Sequence, residues 1–379
     1  MSTPQPDSAR DPRLLDALKR GVRDVGMDFR EKGWKGTVGR TFADLEAFYL
    51  STHAKQRLSE MSTVKRWMVL VWWLLKSLLL KLTPARRVLL ALSLVLMASG
   101  VRGIQVGPGP DAHVNAGLPI LGIVLLLVIL MLELKDKLLA RDELEAGRKV
   151  QLALMPERSP RVPGWDLWLY TQPANDVGGD LADYLQIDAR RYGVSLGDVA
   201  GKALPAALLM AKLQSTLRAL VPQFDGLDDL GAAVNRILCR DGLPDRFATL
   251  VYLELTGGSG AVRVLNAGHM APLVLRGTSI EELPGGAMAL GIMAGAAFTE
   301  QRVDLAERDC LVVYSDGITE ATNAAGDFFG DDRLRSLLQA SAGRSAAELG
   351  SEVLAAVEAF VGGARRHDDI SLVVLRRMH

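Results

Sequence analysis

One stretch of this chain limits its fold more than any other: the 21 uncharged residues 112–132, AHVNAGLPILGIVLLLVILML, between Asp111 and Glu133. A helix of about 20 apolar residues is enough to cross the hydrocarbon core of a bilayer. A second apolar run, residues 88–101, precedes it, and the GPGP sequence at 107–110 is typical of a turn. We therefore predict a two-helix transmembrane hairpin. The alternative is a pair of helices buried in the core of a soluble protein.

The charges that flank the hairpin predict its orientation. Basic residues lie on both sides of it: Lys65, Arg66, Lys76, Lys81, Arg86 and Arg87 before it, and Lys135, Lys137 and Arg141 after it. Because cytoplasmic flanks are enriched in Lys and Arg, both ends are expected in the cytoplasm and the 102–116 loop outside. This orientation predicts a protein of the inner (cytoplasmic) membrane. The polar first 60 residues predict that there is no cleavable signal peptide.

Four regions follow from these patterns. Residues 1–64 are charged and have helical spacing, which predicts a small cytoplasmic helical region. Residues 65–132 hold the hairpin and, at 65–82, a Trp-rich segment with two Lys residues, expected at the membrane interface; a third span is the alternative. Residues 133–155 are strong helix formers and predict a helical linker that either dimerises or remains a solvated connector. Residues 156–379 form the remaining domain.

Composition excludes several classes of function. The 44 basic and 44 acidic residues balance, so the net charge does not favour nucleic-acid binding. Two cysteines are too few for a disulfide framework, and the five histidines lack the spacing of zinc ligands. The chain also lacks the glycine-rich patterns of nucleotide-binding loops.

From Pro156 onward, short apolar runs alternate with helical stretches. Seven runs read as strands: 165–170, 192–196, 247–255, 261–267, 271–275, 310–315 and 370–375. Helices are predicted at 205–220, 228–238, 332–340 and 345–361. Strands grouped in succession, with helices between the groups, indicate the α+β class rather than a parallel sheet.

Aspartates mark the strand ends and bends of this domain. They occur in four segments, NDVGGDLADY, LGDVAGK, YSDGITEA and RHDDISLVV, as Asp180, Asp183, Asp198, Asp316, Asp368 and Asp369. Each alone has a plain structural explanation, since Asp-Gly is a common turn. Together they indicate more, because carboxylates at the ends of distant strands can converge at one edge of a sheet.

A cluster of ionised aspartates needs compensation, because like charges in one pocket repel. No pattern of Lys or Arg in the sequence is placed to neutralise them all, whereas two divalent cations would. Oxygen ligands without His or Cys select Mg²⁺ or Mn²⁺ rather than zinc. A pair of such ions can activate a water and stabilise the charge that builds on a phosphoryl group.

At this point the residues match a family. From about Gln151 to Arg377 the chain resembles the SpoIIE-like, or RsbU-like, branch of the metal-dependent (PPM, type 2C) protein serine/threonine phosphatases. The blocks that carry the resemblance are LMPERSPRVPGWDLWLYTQPANDVGGDLADY, SLGDVAGKALPAALLMA, LNAGHMAPLVL, LVVYSDGITEATNAAGDFFGDDRL and DDISLVVL.

The resemblance implies a fold and a site. The fold is a β-sandwich of two antiparallel sheets flanked by helices, with a binuclear Mn²⁺/Mg²⁺ site at one end. Asp180 and Asp198 would be the central ligands, assisted by the backbone carbonyl of Val199. Asp316 and Asp368 would complete the second metal site, with Asp369 as an additional candidate. Asp183 is considered as a ligand through water or through a further metal.

The resemblance also implies an activity and a partner. The activity is hydrolysis of phosphoserine or phosphothreonine by an activated water, without a covalent phospho-enzyme. The substrate would be a phosphorylated regulatory protein of the anti-anti-sigma (STAS) type. Two alternatives remain: a catalytically silent, membrane-anchored module that binds a phosphorylated regulator, and a hydrolase of small phosphoesters.

A few other residues carry weaker expectations. His269 in NAGHMAP is expected to be structural more often than catalytic, and Lys202 either contacts phosphate or caps a bend. Ala203 stands where the family usually has Gly, so we expect a stiffer turn into the following helix. Asp327, Asp331 and Asp332 are expected in a solvated flap and at a helix start.

Overall fold

The computed structural model describes residues 82–101, 117–242, 246–364 and 366–378, together with residues 76, 79 and 80. The chain divides into two units, Met1–Lys135 and Asp136–His379. The predicted helical region 1–64, nearly all of the segment 65–82 and the 102–116 loop lie outside the described residues. These three predictions therefore stay predictions.

Two helices make up the described part of the first unit. Helix α1 spans Pro84–Val101 and helix α2 begins at Gly117 and continues to Leu154. Arg86 donates a hydrogen bond to Glu133 at 2.6 Å, and a Cβ added at Gly122 would lie 2.8 Å from the carbonyl oxygen of Ser93. Close packing at a glycine and an ion pair thus join the two helices at two places.

Helix α2 is unbroken through residues 133–155 as far as Leu154, which confirms the helical prediction for that segment. Within the described residues, Leu118–Leu154 is the helix long and apolar enough to cross a membrane, and only 11% of its most apolar window is buried. The transmembrane hairpin itself stays a prediction, because the residues that would connect the two helices are not described.

In the described part of the second unit, ten strands form two five-stranded antiparallel sheets. One sheet has the order β1-β10-β9-β6-β7 and the other β2-β3-β4-β5-β8. The strands are β1 (Trp165–Gln172), β2 (Leu181–Gln186), β3 (Arg191–Val199), β4 (Ala248–Thr256), β5 (Ala261–Ala267), β6 (Leu273–Arg276), β7 (Ser279–Glu282), β8 (Glu300–Asp304), β9 (Cys310–Tyr314) and β10 (Ile370–Arg377).

Helices cover the outer face of each sheet. They are α3 (Ala203–Leu220), α4 (Leu227–Asp241), the single turn α5 (Asp316–Thr319), α6 (Asp331–Ala340) and α7 (Ala346–Val361), with a 3-10 turn at Val221–Gln223. Helices α3 and α4 pack on the second sheet, and α6 and α7 on the first. The two-sheet sandwich flanked by helices, predicted from the resemblance, is confirmed.

The core has three layers because the central strands are buried on both faces. In β4, Val251 and Leu253 face the space between the sheets, whereas Leu250 and Tyr252 face helices α3 and α4. Successive side chains of a strand point to opposite faces. This explains why residues 247–255 read as a nearly continuous apolar run.

Three strands escaped prediction from the sequence. Strand β2 carries Asp183 at a buried position, and β7 is a short edge strand of mostly exposed polar residues. Strand β8 has one buried position, Val303, among polar neighbours. None of the three shows the apolar pattern on which the prediction depended.

Candidate functional site

The loop before β2 places Asp180 by means of two glycines. A Cβ at Gly178 would overlap the carboxylate of Asp369. That carboxylate accepts hydrogen bonds from the backbone N–H groups of Ala174 (2.7 Å), Gly179 (2.7 Å) and Asp180 (3.3 Å). The glycines therefore let the loop close around Asp369, which fixes the position of Asp180.

Strand β3 carries Asp198 to the same place. Its last residues pair with the start of β4, where Asp198 lies opposite Thr249. The Thr249 hydroxyl accepts the Asp198 N–H at 3.2 Å. A Cβ at Gly179 would lie 3.0 Å from the Val199 carbonyl oxygen and 3.5 Å from Asp198 Oδ1. Because Gly179 has no side chain, the end of β3 can pack closely against the loop.

The other sheet contributes Asp316, Asp368 and Asp369. Asp316 begins the helical turn after β9, and the other two precede β10, the neighbour of β9. Gly317 lies so close to the Asp369 carbonyl that a Cβ there would overlap it. Two buried serines join the strand ends, since the Ser371 N–H donates to Ser315 Oγ at 2.9 Å. Carboxylates from both sheets thus meet at one end of the sandwich.

The carboxylates interact through their charges. Burial, and then the charges of Asp198 and Asp369, raise the pKa of Asp180 well above its usual value. Burial and the charges of Asp316 and Asp368 raise the pKa of Asp198 to about 6. Burial and Asp368 likewise raise the pKa of Asp316. The carboxylates of Asp180, Asp198, Asp316, Asp368 and Asp369 are therefore one repelling group.

The pKa of Asp369 is raised by burial, although its hydrogen bonds with Ala174, Asp180 and Gly179 act in the opposite direction. Both of its oxygens are occupied by backbone N–H groups. Through these hydrogen bonds Asp369 organises the loop that carries Asp180.

One atom at the site lacks a partner that its burial demands. Asp180 Oδ2 is buried and accepts no hydrogen bond, which is costly for an ionised carboxylate. In the described residues, no three or more His, Cys, Asp and Glu side chains are arranged to hold a metal ion as they stand. The carboxylates meet as interacting charges rather than as a closed cage. The unpartnered oxygen and the hard oxygen donors nevertheless fit a divalent cation.

The hydrogen bonds of His269 fit the structural role that the sequence favours. Its Nε2 lies 3.1 Å from the Tyr314 carbonyl oxygen, and its Nδ1 lies 2.8 Å from the Thr249 hydroxyl. Burial lowers its pKa to about 4, so the ring is neutral at pH 7. The neutral ring donates through Nε2 and accepts through Nδ1. His269 therefore ties the end of β9 in one sheet to the Thr249–Asp198 pair in the other.

Two further residues have partners within the protein. The carboxylate of Asp183 is paired with Arg218 of α3 at 2.6 and 2.8 Å, which favours a structural role over the predicted one as a ligand through water or a further metal. The ammonium of Lys202 donates to the His367 carbonyl at 3.1 Å, so Lys202 joins the turn before α3 to the segment that carries Asp368.

Sequence reasoning missed three supports of the site. They are Thr249, the Ser315–Ser371 pair and Gln151, whose side-chain amide makes two hydrogen bonds with the backbone of Gly178, at 2.9 and 3.1 Å. Gln151 belongs to the last turn of α2. Only the serine directly before Asp316 gave a local signal, because the other contacts join residues far apart in the chain.

The sequence was compared with known families and proteins. The family described as stage II sporulation protein E (SpoIIE) matches residues 188–378, about half of the chain. The protein IcfG of Synechocystis sp. is 25% identical over 279 residues, which cover 65% of this chain and 43% of IcfG. The phosphoserine phosphatase RsbU of Bacillus subtilis is 24% identical over 242 residues, covering 62% of this chain and 70% of RsbU. The chain thus spans less than half the length of IcfG.

Among solved structures, the SiaA-PP2C domain of Pseudomonas aeruginosa superimposes with a TM-score of 0.56 at 18% identity. The match covers 64% of this chain and 98% of that domain. At this level of identity the likeness supports the fold alone.

Proposed function

The chain belongs to the stage II sporulation protein E (SpoIIE) family, and from this premise we propose that it is a metal-dependent protein serine/threonine phosphatase. One observation carries the proposal: carboxylates from both sheets meet at one end of the sandwich and raise one another's pKa values. Such a group of carboxylates does not stabilise the fold by itself, because its charges repel one another. Bound cations would offset this repulsion.

The residues that would hold the cations are Asp180, Asp198, Asp316 and Asp368, with the carbonyl of Val199. Two Mn²⁺ or Mg²⁺ ions bound there would offset the repulsion, activate a water and stabilise negative charge on phosphoryl oxygens. Asp369 was also predicted as a ligand; its hydrogen bonds to the 174–180 backbone support an organising role instead.

The protein's own groups determine the geometry of the site. The Thr249 hydroxyl and the His269 ring hold the backbone of Asp198 against the end of β9. The Lys202 ammonium lies next to the segment that carries Asp368. In the overall reaction water attacks phosphorus, the bond from phosphorus to the serine or threonine oxygen breaks, and inorganic phosphate and the free hydroxyl side chain are released.

The proposed substrate is a phosphorylated regulatory protein, of the anti-anti-sigma (STAS) type that the resemblance implies. Its support is the likeness to RsbU, named a phosphoserine phosphatase. We also propose that α2 anchors the protein in the cytoplasmic membrane with the catalytic domain in the cytoplasm, supported by its long apolar stretch. Dimerisation through residues 133–155 remains part of the proposal.

A phosphate-release assay tests the proposed activity. The full chain is expected to release phosphate from phosphoserine peptides and from p-nitrophenyl phosphate when Mn²⁺ is present and to lose this activity in EDTA. Asp198→Asn is expected to lower turnover at least 100-fold, because the substitution removes a central ligand charge. Asp183→Glu is the matched control, since it keeps the carboxylate that pairs with Arg218. Wild-type activity that persists without metal, or in Asp198→Asn, would contradict the proposal.

A further inference from the structure

A cavity of about 220 Å³ opens beside the candidate active site. Its wall includes Gly317, which follows Asp316, and Asp368 itself, so the cavity and the carboxylate cluster share residues. The rest of the wall includes the apolar side chains Ala321, Phe328, Val361 and Ile370. A protein segment bound with its phosphate at the cluster would therefore have a neighbouring residue within reach of this cavity.

Phe328 is an unusual part of this wall because it is 59% exposed. The next residue, Phe329, is 4% exposed and meets Phe360 edge to face at 5.5 Å. One aromatic ring of the pair thus belongs to the core, while the other lies at the surface. Isolated exposed apolar residues are common on proteins, so exposure alone does not identify a binding site.

The backbone around Phe328 is held firmly. Residues 322 and 328 pair as an antiparallel bridge. The side-chain oxygen of Asn323 accepts the N–H groups of Ala325 and Asp327 within this turn, both at 2.9 Å. The guanidinium of Arg333 donates to the carbonyls of Phe328 and Phe329 at 2.9 and 2.7 Å. The turn therefore holds the backbone of Phe328 in a fixed place, so that binding at its ring orders little further backbone.

The apolar side chains of the wall favour an apolar occupant. The polar residues of the wall are Glu320, Thr322, Arg366, His367 and Asp368. Arg366 lines the cavity, but its guanidinium is already bonded to Gln172 at 2.6 Å and to Glu358 at 2.9 Å. This guanidinium is thus engaged within the protein. The apolar side chains of the wall offer a ligand apolar area, worth roughly 25 cal/mol per Å² when buried.

We propose that this cavity is a specificity pocket, in which Phe328 contacts an apolar side chain of the phosphoprotein close to the phosphoserine. The proposal rests on the proposed phosphatase function and deepens it by naming a feature of the substrate. Aromatic anchors in pockets of this kind typically carry much of a binding energy. The pocket acts on binding of the protein substrate and not on the hydrolysis itself.

Synthetic phosphoserine peptides provide the test. Matched peptides carry Leu or Ser at each of the three positions on either side of the phosphoserine, and p-nitrophenyl phosphate serves as a substrate too small to reach the pocket. For the full chain with Mn²⁺, at least one Leu position is expected to improve kcat/KM about tenfold over Ser, mainly through KM. Phe328→Ala should abolish this preference and leave kcat/KM for p-nitrophenyl phosphate unchanged.

Two controls accompany the variant. Met378→Ala removes another exposed apolar side chain, at the opposite end of β10 from the site, and should keep the Leu preference. Phe328→Leu should keep part of the Leu preference that Phe328→Ala abolishes. A wild type that hydrolyses all peptides equally, or a Phe328→Ala variant that keeps the preference, overturns the pocket. Equal losses on peptides and p-nitrophenyl phosphate in Phe328→Ala also overturn it. A wild type inactive on every substrate refutes the proposed function instead.

Discussion

Buried acidic residues of this protein differ in their partners. Asp183 and Glu254 are each 4% exposed, and both are paired with arginines: Asp183 with Arg218, and Glu254 with Arg191 and Arg263. Asp180, three residues before Asp183, is 5% exposed and has one oxygen without any hydrogen bond. The contrast separates the acids whose charge is offset by arginines from Asp180, which we propose as a cation ligand.

The raised pKa of Asp198 predicts a pH-dependent stability. Its value is about 6 in the fold against 3.8 for the ordinary group. Between these values the folded state binds the proton more tightly than the unfolded chain, so stability falls as pH rises through the window. Without metal, Asp198→Asn should match the wild type near pH 4 and exceed it by up to about 3 kcal/mol above pH 6.

Urea unfolding in EDTA at pH 4.5, 5.5 and 7 measures this difference. His269, whose lowered pKa has the opposite effect on stability, is common to both proteins and cancels in the comparison. Asp183→Asn serves as a control and should destabilise at all three pH values, because it removes the partner of Arg218. A difference between Asp198→Asn and wild type that stays constant with pH would contradict the assignment.

At the scale of elements, the turn from β3 into α3 connects the end that carries Asp198 to the helix that covers the sheet. Ala203, where the family usually has Gly, has a φ of +61°, in the left-handed region. An L-residue with a Cβ pays about 1–2 kcal/mol there. The expected stiff turn is thus a strained turn.

Ala203→Gly is therefore expected to stabilise the fold by about 1 kcal/mol, after part of the gain is offset by the greater freedom of glycine in the unfolded chain. Chemical denaturation of the two proteins gives the difference. Ala219→Gly, at an exposed position within α3, is the matched control and should destabilise by about 0.5–1 kcal/mol. If the two substitutions change the free energy of unfolding in the same direction, the result would argue against strain at Ala203.

Part of this arrangement was predictable because two of the aspartates lie at the ends of strands with strong apolar patterns. Asp198 and Asp316 follow apolar runs that are visible in the sequence, although the two strands belong to different sheets. Strand β2 was not predictable, because Asp183 interrupts its pattern and its partner, Arg218, is 35 residues away. The supports Gln151 and Thr249 also depend on long-range contacts, which local sequence patterns do not encode.

At the scale of the whole molecule, helix α2 carries two kinds of surface. Its apolar first part exposes Ile123 and Leu127 at 51% and 55%, and its charged second part exposes Leu138 and Leu139 at 50% each. The two pairs of residues are similarly exposed but have different neighbours in the sequence, so each pair serves as a control for the other. Only the first pair lies within the 21 uncharged residues from which the span was predicted.

Replacing Ile123 and Leu127 together with Lys is therefore expected to release the protein from membranes, because each charge within a span costs about 2.5–3.5 kcal/mol. The same replacement at Leu138 and Leu139 should leave it membrane-bound. Fractionation followed by an alkaline wash and immunodetection measures the outcome. If both double variants partition alike, the proposed span is wrong.

The mutual repulsion of the carboxylates also predicts the order in which ligands would bind to the site. A phosphoseryl group brings nearly two more negative charges toward a site where Asp198 and its neighbours already disfavour one another's ionisation. In the proposed phosphatase the cations could therefore bind alone, whereas the phosphoprotein would bind only after them. Turnover would then follow a compulsory order, with the metal ions first and the phosphoprotein second. The concentration of free metal would determine whether a phosphorylated regulator can be dephosphorylated.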